Sequence, residues 1–351
     1  MPAFDIIDDP WLDVVRVDGT LECIGLRALL YDLHRVAHLS EPSALTEAGL
    51  LRFLTALVSD GLREFVPTED DWFSFVESCC DGLPGDAVKA VLKPIADVSD
   101  VLARDHNAFF DAAAVSVITG WDESTAWQPA SRFLPETPTG TNLTHFDHLS
   151  DDTTAVCVGC LLKGRAVDSA FARGGLGPSL SRNLLATISG SEPRYVIAVG
   201  RTLLETLLLN LVVGDASRPV WCSIHRSADG DAGPIARLSW RPRLVIPVAS
   251  SESGQPCVCC GTEARPRFRH AVMADTYNYP GSPFGSKADL ERWKLQDADP
   301  QLVAFEGTGM TFGLTPAEWA VRALVPLLAE TSGDCSLVRR AGHLGSPLSS
   351  P

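Results

Sequence analysis

Two short cysteine motifs constrain this chain more than any other feature. Cys157-Val158-Gly159-Cys160 and Cys257-Val258-Cys259-Cys260 each set two thiols across a two-residue gap, with 96 residues between the motifs. Such a gap lets one turn of backbone aim both sulfurs at a single ion, so the two knuckles together supply the four corners of a tetrahedral Zn²⁺ site. The second knuckle holds three thiols, and the two-residue spacing favours Cys257 and Cys260 over Cys259. Redox dithiols and unrelated buried cysteines are the competing readings. No strand-to-helix context of the thioredoxin kind is legible around either pair. A closed Cys₄ site clips distant segments together, organises nearby loops and has no open catalytic position.

The compartment follows from the same residues. Ten cysteines in a chain of 351 residues, without a basic and apolar export segment at the start, point to a reducing cytoplasm, where paired thiols hold metal more often than they form disulfides. The most apolar run, Leu203 to Val213, is broken by Glu205 and Asn210, so neither a spanning helix nor a membrane partner is expected. With 45% apolar and 21% charged residues the chain reads as a folded globule of one large lobe or two units. Its net charge of −15 argues against generic wrapping around a polyanion. That charge is unevenly spread: residues 1–150 hold 25 acids and 9 bases, whereas residues 151–351 hold 19 acids and 20 bases. Between Leu161 and Lys294 there are 17 bases against 11 acids, which leaves room for a basic face on the second half.

Local patterns predict a mixed fold. Asp18-Gly19-Thr20 between the alternating runs Val14–Val17 and Leu21–Ile24 predicts a β-hairpin. Helical spacing predicts helices over Leu26–His38 and Leu45–Leu62, and Thr68 ahead of Glu69, Asp70 and Asp71 predicts a capped helix start. Residues 121–150 read as loop, Arg201–Val213 as a buried helix, Arg237–Val248 as strand-rich and Thr315–Ala329 as a helix opened by Thr315-Pro316. The tail, rich in Gly, Ser and Pro, is expected to be disordered over 331–351.

Three further groups are candidates for chemistry. His145, Asp147 and His148 crowd one loop, where they suit a metal, hydrogen bonding among neighbours or a macromolecular partner. Gly174, Gly175 and Gly177, between Arg173 and Arg182, form a loop whose backbone can approach phosphates or a groove. Arg265, Arg267 and Arg269 alternate, so an extended strand would set all three on one face. There is no Gly-x-Ser-x-Gly elbow, Walker loop or His-Glu-x-x-His, and nothing supports an enzyme. The rivals are a metal-dependent His-Asn-His-type nuclease, against which the wide knuckle separation argues, and a zinc-stabilised scaffold without DNA contact.

Taken in order, these pieces resemble the large subunit of type I-E CRISPR Cascade complexes, the CasA/Cse family. The resemblance is carried by Phe4-Asp5-Ile6-Ile7-Asp8-Asp9-Pro10-Trp11-Leu12 with its hairpin, by Phe133 to Asn142 running into His145-Phe146-Asp147-His148, by both knuckles, by the glycine loop, by Arg201 to Asn210, by Leu238-Ser239-Trp240-Arg241-Pro242 and by Asp299 to Phe305. It covers residues 4 to 330, and its specificity lies in their colinearity.

The resemblance implies an α+β fold: a large mixed lobe over 1–330, like the N-terminal domain of the Cascade large subunit, with an acidic part at 1–150 and a zinc- and DNA-facing part at 151–330. It implies a non-catalytic subunit that recognises the protospacer-adjacent motif in duplex DNA and helps start unwinding. The implied partners are the other Cascade subunits, the 5′ handle end of the CRISPR RNA and target double-stranded DNA. Carried over by motif, the DNA-contacting positions are Phe146, Asp147 and His148, the loop glycines Gly174, Gly175 and Gly177, and Arg267, Arg269 or His270 after the second knuckle; Arg173 and Arg182, which flank the glycine loop, join them from charge alone as phosphate contacts. The zinc ligands are Cys157, Cys160, Cys257 and Cys260. Family members continue into a C-terminal four-helix bundle, whereas this sequence closes at Pro351. The expectation is a compact form lacking that bundle, or a fragment, with the cutting function carried by a nuclease on another subunit.

Overall fold

Trp11 to Ile24 folds as the Asp-Gly signal requires. Strand β1 (Leu12–Arg16) pairs antiparallel with β2 (Leu21–Ile24) from Leu12↔Ile24 to Val15↔Leu21. At the turn Gly19 takes φ +86°, and the Asp18 carboxylate accepts the Thr20 N–H at 2.9 Å. The computed structural model describes residues 4–101, 127–130, 134, 155–171, 197–219, 233–239, 243–249, 256–263, 267–275 and 300–301.

The helix expected over Leu26–His38 ends early. Helix α1 (Leu26–Asp32) tightens into a 3₁₀ turn (Leu33–Arg35), and Val36–Leu39 becomes strand β3 on the free edge of β1. The order of this first sheet is β2-β1-β3. Leu39 stands opposite Val14 and both are buried, so pairing with β1 overrides the local helical spacing once β-branched Val36 is reached.

Helix α2 (Ala44–Gly61) is the centre of the packing. Ser43 caps it by accepting the Leu45 N–H, and twelve residues from Thr46 to Asp60 are buried, far more than one amphipathic stripe. Its neighbours come close because glycine lets them. A Cβ on Gly49 would lie 2.9 Å from the Ala166 carbonyl, and one on Gly61 would lie 2.4 Å from the Val91 Cα. Ala166 belongs to α5 (Val158–Phe171) and Val91 to α4 (Gly85–Val101). Helix α3 (Glu69–Ser78) opens with a reciprocal cap between Thr68 and Asp71, as its acidic start predicts. From α3 the buried Trp72 donates its indole N–H to Leu208 O at 2.9 Å, joining it to α6 (Leu203–Leu209).

Ion pairs lock the far end of α2 to the second half of the chain. The buried Asp60 carboxylate accepts from Arg63 at 2.5 Å and from Arg218 at 3.0 Å, while Arg63 also donates to Ser217 O at 2.6 Å. Asp215 and Ser217 in turn accept the free N–H groups of Ile235 and Ala236 at the start of α7 (Pro234–Leu238). Part of the strand-rich stretch expected from Arg237 is thus helical, and the strand begins later, at Arg243.

A second sheet is built around one long strand. Strand β7 (Arg267–Asp275) pairs antiparallel along one edge with β6 (Arg243–Ala249), and its other edge takes β5 (Val156–Cys157) at Arg267 and Phe268 and β4 (Trp127–Pro129) at His270 to Val272. Strand β4 lies inside the stretch read as loop. Both sheets are antiparallel and share one apolar core with the helices, the α+β arrangement expected. Among the described residues no helix is long and apolar enough to cross a membrane.

Candidate metal centre

The first knuckle is made where β5 runs straight into α5. Pairing of Val156 with Phe268 and of Cys157 with Arg267 fixes the strand, and the helix starting at Val158 places Cys160 on its first turn. The spacing showed no strand-to-helix junction here, yet the structure has one. The second knuckle lies between β6 and β7 and is a tight reversal. Gly261 N–H donates to Cys257 O at 2.9 Å and Cys257 N–H to Thr262 O at 3.0 Å, with Gly261 at φ +67°. Two backbone bonds stitch the knuckles together: Val258 N–H to Ala155 O at 3.0 Å, and Cys157 N–H to Cys257 Sγ at 3.2 Å.

The result is one cluster. The sulfurs of Cys157, Cys160, Cys257 and Cys260 all lie within 4.8 Å of one another, and Cys157 Sγ and Cys260 Sγ are 3.6 Å apart. Tetrahedral zinc with Zn–S bonds of about 2.3 Å sets its sulfurs about 3.8 Å apart, so the donor set fits a single ion. Cys157, Cys160 and Cys257 are buried and Cys260 is exposed. The choice of Cys257 and Cys260 over Cys259, made on spacing, agrees with this grouping.

Crowding four thiols shifts their acidities in opposite directions. Cys157 is pushed far up by hydrogen bonds to Cys160, Cys257 and Cys260 and by burial. For Cys160 the bond to Cys157 works downward, but those to Cys257, Cys259 and Cys260, with burial, outweigh it. Cys257 is pulled far down by the bonds from Cys157 and Cys160, and the same two pull Cys260 down to about 6. Zinc binds thiolates, so an ion entering this cluster would displace the thiol protons that remain.

A buried lysine and glutamate, joined by the half-exposed Asp13, anchor the knuckle helix. Three residues beyond Cys160, the Lys163 ammonium lies 2.5 Å from Asp13 on β1 and 2.9 Å from Glu41, which follows β3. The Glu41 side chain is 1% exposed, and burial is the main cause that raises it to about 7. On Lys163 burial acts downward, but the charges and hydrogen bonds of Glu41 and Asp13 hold it well above the usual lysine range. Sequence reasoning passed over this trio; its one local signal was a lysine amid the apolar residues 155–162 and 166–167.

The remaining candidates divide by position. Arg267 and Arg269 lie on β7, but the register slips between Val248↔His270 and Ala249↔Phe268, which leaves Arg269 with no facing residue on β6. Phe146, Asp147 and His148, with His145, lie outside the described residues, as do Arg173, Gly174, Gly175, Gly177, Arg182, Arg265, the helix expected over Thr315–Ala329 and the tail at 331–351.

Comparison with known proteins adds an independent line. The model of the family described as CRISPR-associated protein Cse1 matches residues 5–285. A CRISPR-associated protein CasA/Cse1 of Thermus thermophilus is 31% identical over 234 residues, 63% of this chain and 42% of that protein. The chain thus spans less than half the length of this curated relative. Among solved structures, CasA of Thermus thermophilus superposes with a TM-score of 0.63 at 20% identity, covering 98% of this chain and 65% of that one. A chain of a CRISPR RNA-guided surveillance complex superposes with a TM-score of 0.56 at 18% identity, covering 78% of this chain and 56% of that one. These likenesses are likenesses of fold.

Proposed function

The chain belongs to the CRISPR-associated protein Cse1 family, and from that premise we propose that it is the subunit of a type I-E RNA-guided surveillance complex that recognises the protospacer-adjacent motif in duplex DNA. On this reading it is non-catalytic, resides in the reducing cytoplasm and helps start unwinding of the target. Its partners are the other Cascade subunits, the 5′ handle end of the CRISPR RNA and target double-stranded DNA, with cleavage left to a nuclease carried by another subunit. The lobe concerned is residues 1–330.

One observation carries the reading: the cysteine cluster joins the segments from which the candidate DNA contacts leave. Cys160 lies on the first turn of α5, and the glycine loop follows two residues after that helix ends at Phe171, while Cys260 stands six residues ahead of the start of β7 at Arg267, the strand that holds Arg267 and Arg269. Zn²⁺ held by Cys157, Cys160, Cys257 and Cys260 supplies structure alone, because four thiolates fill its four positions and leave none for water or substrate. The 96 residues between the knuckles speak against the His-Asn-His nuclease alternative.

The physics of such a complex suits this chain. Guide pairing supplies sequence specificity, so the protein tests only a few base pairs and needs loops aimed at a groove more than a large positive surface. In the glycine loop, backbone N–H groups approach phosphates and Arg173 and Arg182 add charge; Phe146, Asp147 and His148 probe the groove, and Arg267 and Arg269 complete the contact. The acidic part at 1–150 then faces solvent or basic neighbouring subunits.

The test uses the guide-loaded complex assembled with this chain. Gly175→Ala and Arg267→Ala leave assembly intact and weaken binding of a target duplex with its flanking motif, by about tenfold for the arginine. Unchanged binding by both variants would overturn the assignment of these loops.

A further inference from the structure

The four cysteines of the cluster are not held in the same way. Cys157 is set by its pairing with Arg267 on β7, and Cys257 and Cys260 by the reversal that the Gly261 N–H closes onto Cys257 O at 2.9 Å. Cys160 lies on the first turn of α5, so the direction of that helix decides where its sulfur stands. Ala166, packed against Gly49 of α2, fixes the helix further along. Nearer the ligand stands Lys163, three residues beyond Cys160 and therefore its neighbour on the helix surface, whose ammonium reaches Asp13 at 2.5 Å and Glu41 at 2.9 Å. The two acids are themselves tied, because Ser40, next to Glu41, donates its N–H to Asp13 O at 2.8 Å. With the Lys163 side chain 10% exposed and that of Glu41 1% exposed, solvent and salt screen their attraction little. A ligand already in place when the ion arrives spares the cost of ordering it, and loss of such an outer support costs about 10- to 100-fold in metal affinity.

We propose that Lys163 is a positioning residue of the metal centre, aligning Cys160 with the other three cysteines through its ion pairs to Asp13 and Glu41. The inference rests on the zinc reading above. It makes metal affinity depend on the first sheet, which contributes no ligand. The dependence is reciprocal: bound metal strengthens the Lys163 ion pairs by the same free energy by which they strengthen metal binding.

The test is titration of the full chain with Zn²⁺ against a chromophoric chelator, and with Co²⁺ to read the sulfur-to-cobalt charge-transfer and ligand-field bands, under conditions where circular dichroism shows each variant folded. Wild type that takes up neither ion overturns the zinc reading and this inference with it. Given four-thiolate binding by wild type, Lys163→Met, which keeps the bulk of the stem and drops the ammonium, binds zinc about tenfold more weakly and shifts the ligand-field bands. Asp13→Asn, at a side chain 42% exposed, weakens binding severalfold, and adding it to Lys163→Met weakens binding no further. Gly61→Ala controls for stability alone: it strains α2 against α4, away from α5, and leaves metal affinity at the wild-type level. Wild-type affinity in Lys163→Met overturns the proposal, as does wild-type affinity in Asp13→Asn should Lys163→Met fail to fold. An equal loss in Gly61→Ala also overturns it, because affinity would then merely follow stability.

Discussion

Glu41 gives the sharpest handle on how the knuckle helix is held. Its side chain is 1% exposed, faces Lys163 and Asp13, and is raised from 4.5 to about 7, chiefly by burial. An acid whose pKa is raised on folding keeps its proton in the native state at pH values where the unfolded chain has lost it, so stability falls as pH climbs from 4.5 to 7. At about 1.4 kcal/mol per pKa unit the difference amounts to about 3 kcal/mol. Glu41→Gln imitates the protonated acid and removes this dependence while Lys163 keeps Asp13. Urea unfolding of both proteins in zinc at about pH 5 and about pH 8 isolates the effect, because every other titrating group is common to them. The stability of wild type relative to Glu41→Gln falls by about 3 kcal/mol between the two pH values. A constant difference would refute the burial argument and mean that Lys163 holds Glu41 ionised throughout.

Two substitutions test the packing. Gly61→Ala drives a methyl group to 2.4 Å from the Val91 Cα, a backbone atom that cannot rotate away, and lowers stability by about 3 kcal/mol in thermal or denaturant unfolding. Asp60→Asn removes the buried charge shared by Arg63 and Arg218; because those guanidinium groups are partly exposed, the loss is nearer ~2 kcal/mol, and Arg218→Ala on top of it adds little in a double-mutant cycle.

Where sequence and structure agree, the signal is local. The hairpin follows from Asp18-Gly19, the start of α3 from Thr68 and Asp71, and α2 from its run of apolar residues, since each is settled by a few neighbouring side chains. The cysteine cluster is legible at long range, because cysteines grouped about one point leave a paired spacing behind even 96 residues apart. What spacing hides is pairing. Val36–Leu39 reads as helix until β1 offers an edge, and Trp127–Pro129 reads as loop until the distant β7 takes it as a strand. The Lys163 trio stayed hidden for the same reason: Asp13, Glu41 and Lys163 are unremarkable alone and become one anchor only when the α2–α5 crossing at Gly49 brings their segments together. The acidic total of −15 likewise averages a strongly acidic first 150 residues with a balanced remainder, so it misleads about any one surface.

The central claim is that this chain makes target binding depend on a short flanking motif. The direct measurement is the affinity of the guide-loaded complex, with and without this chain, for duplexes identical except in the base pairs beside the guide-matched sequence, at fixed salt because phosphate contacts make affinity salt-dependent. Discrimination between flanking sequences is expected with the chain present and lost without it. Equal discrimination in both preparations, or none in either, would contradict it.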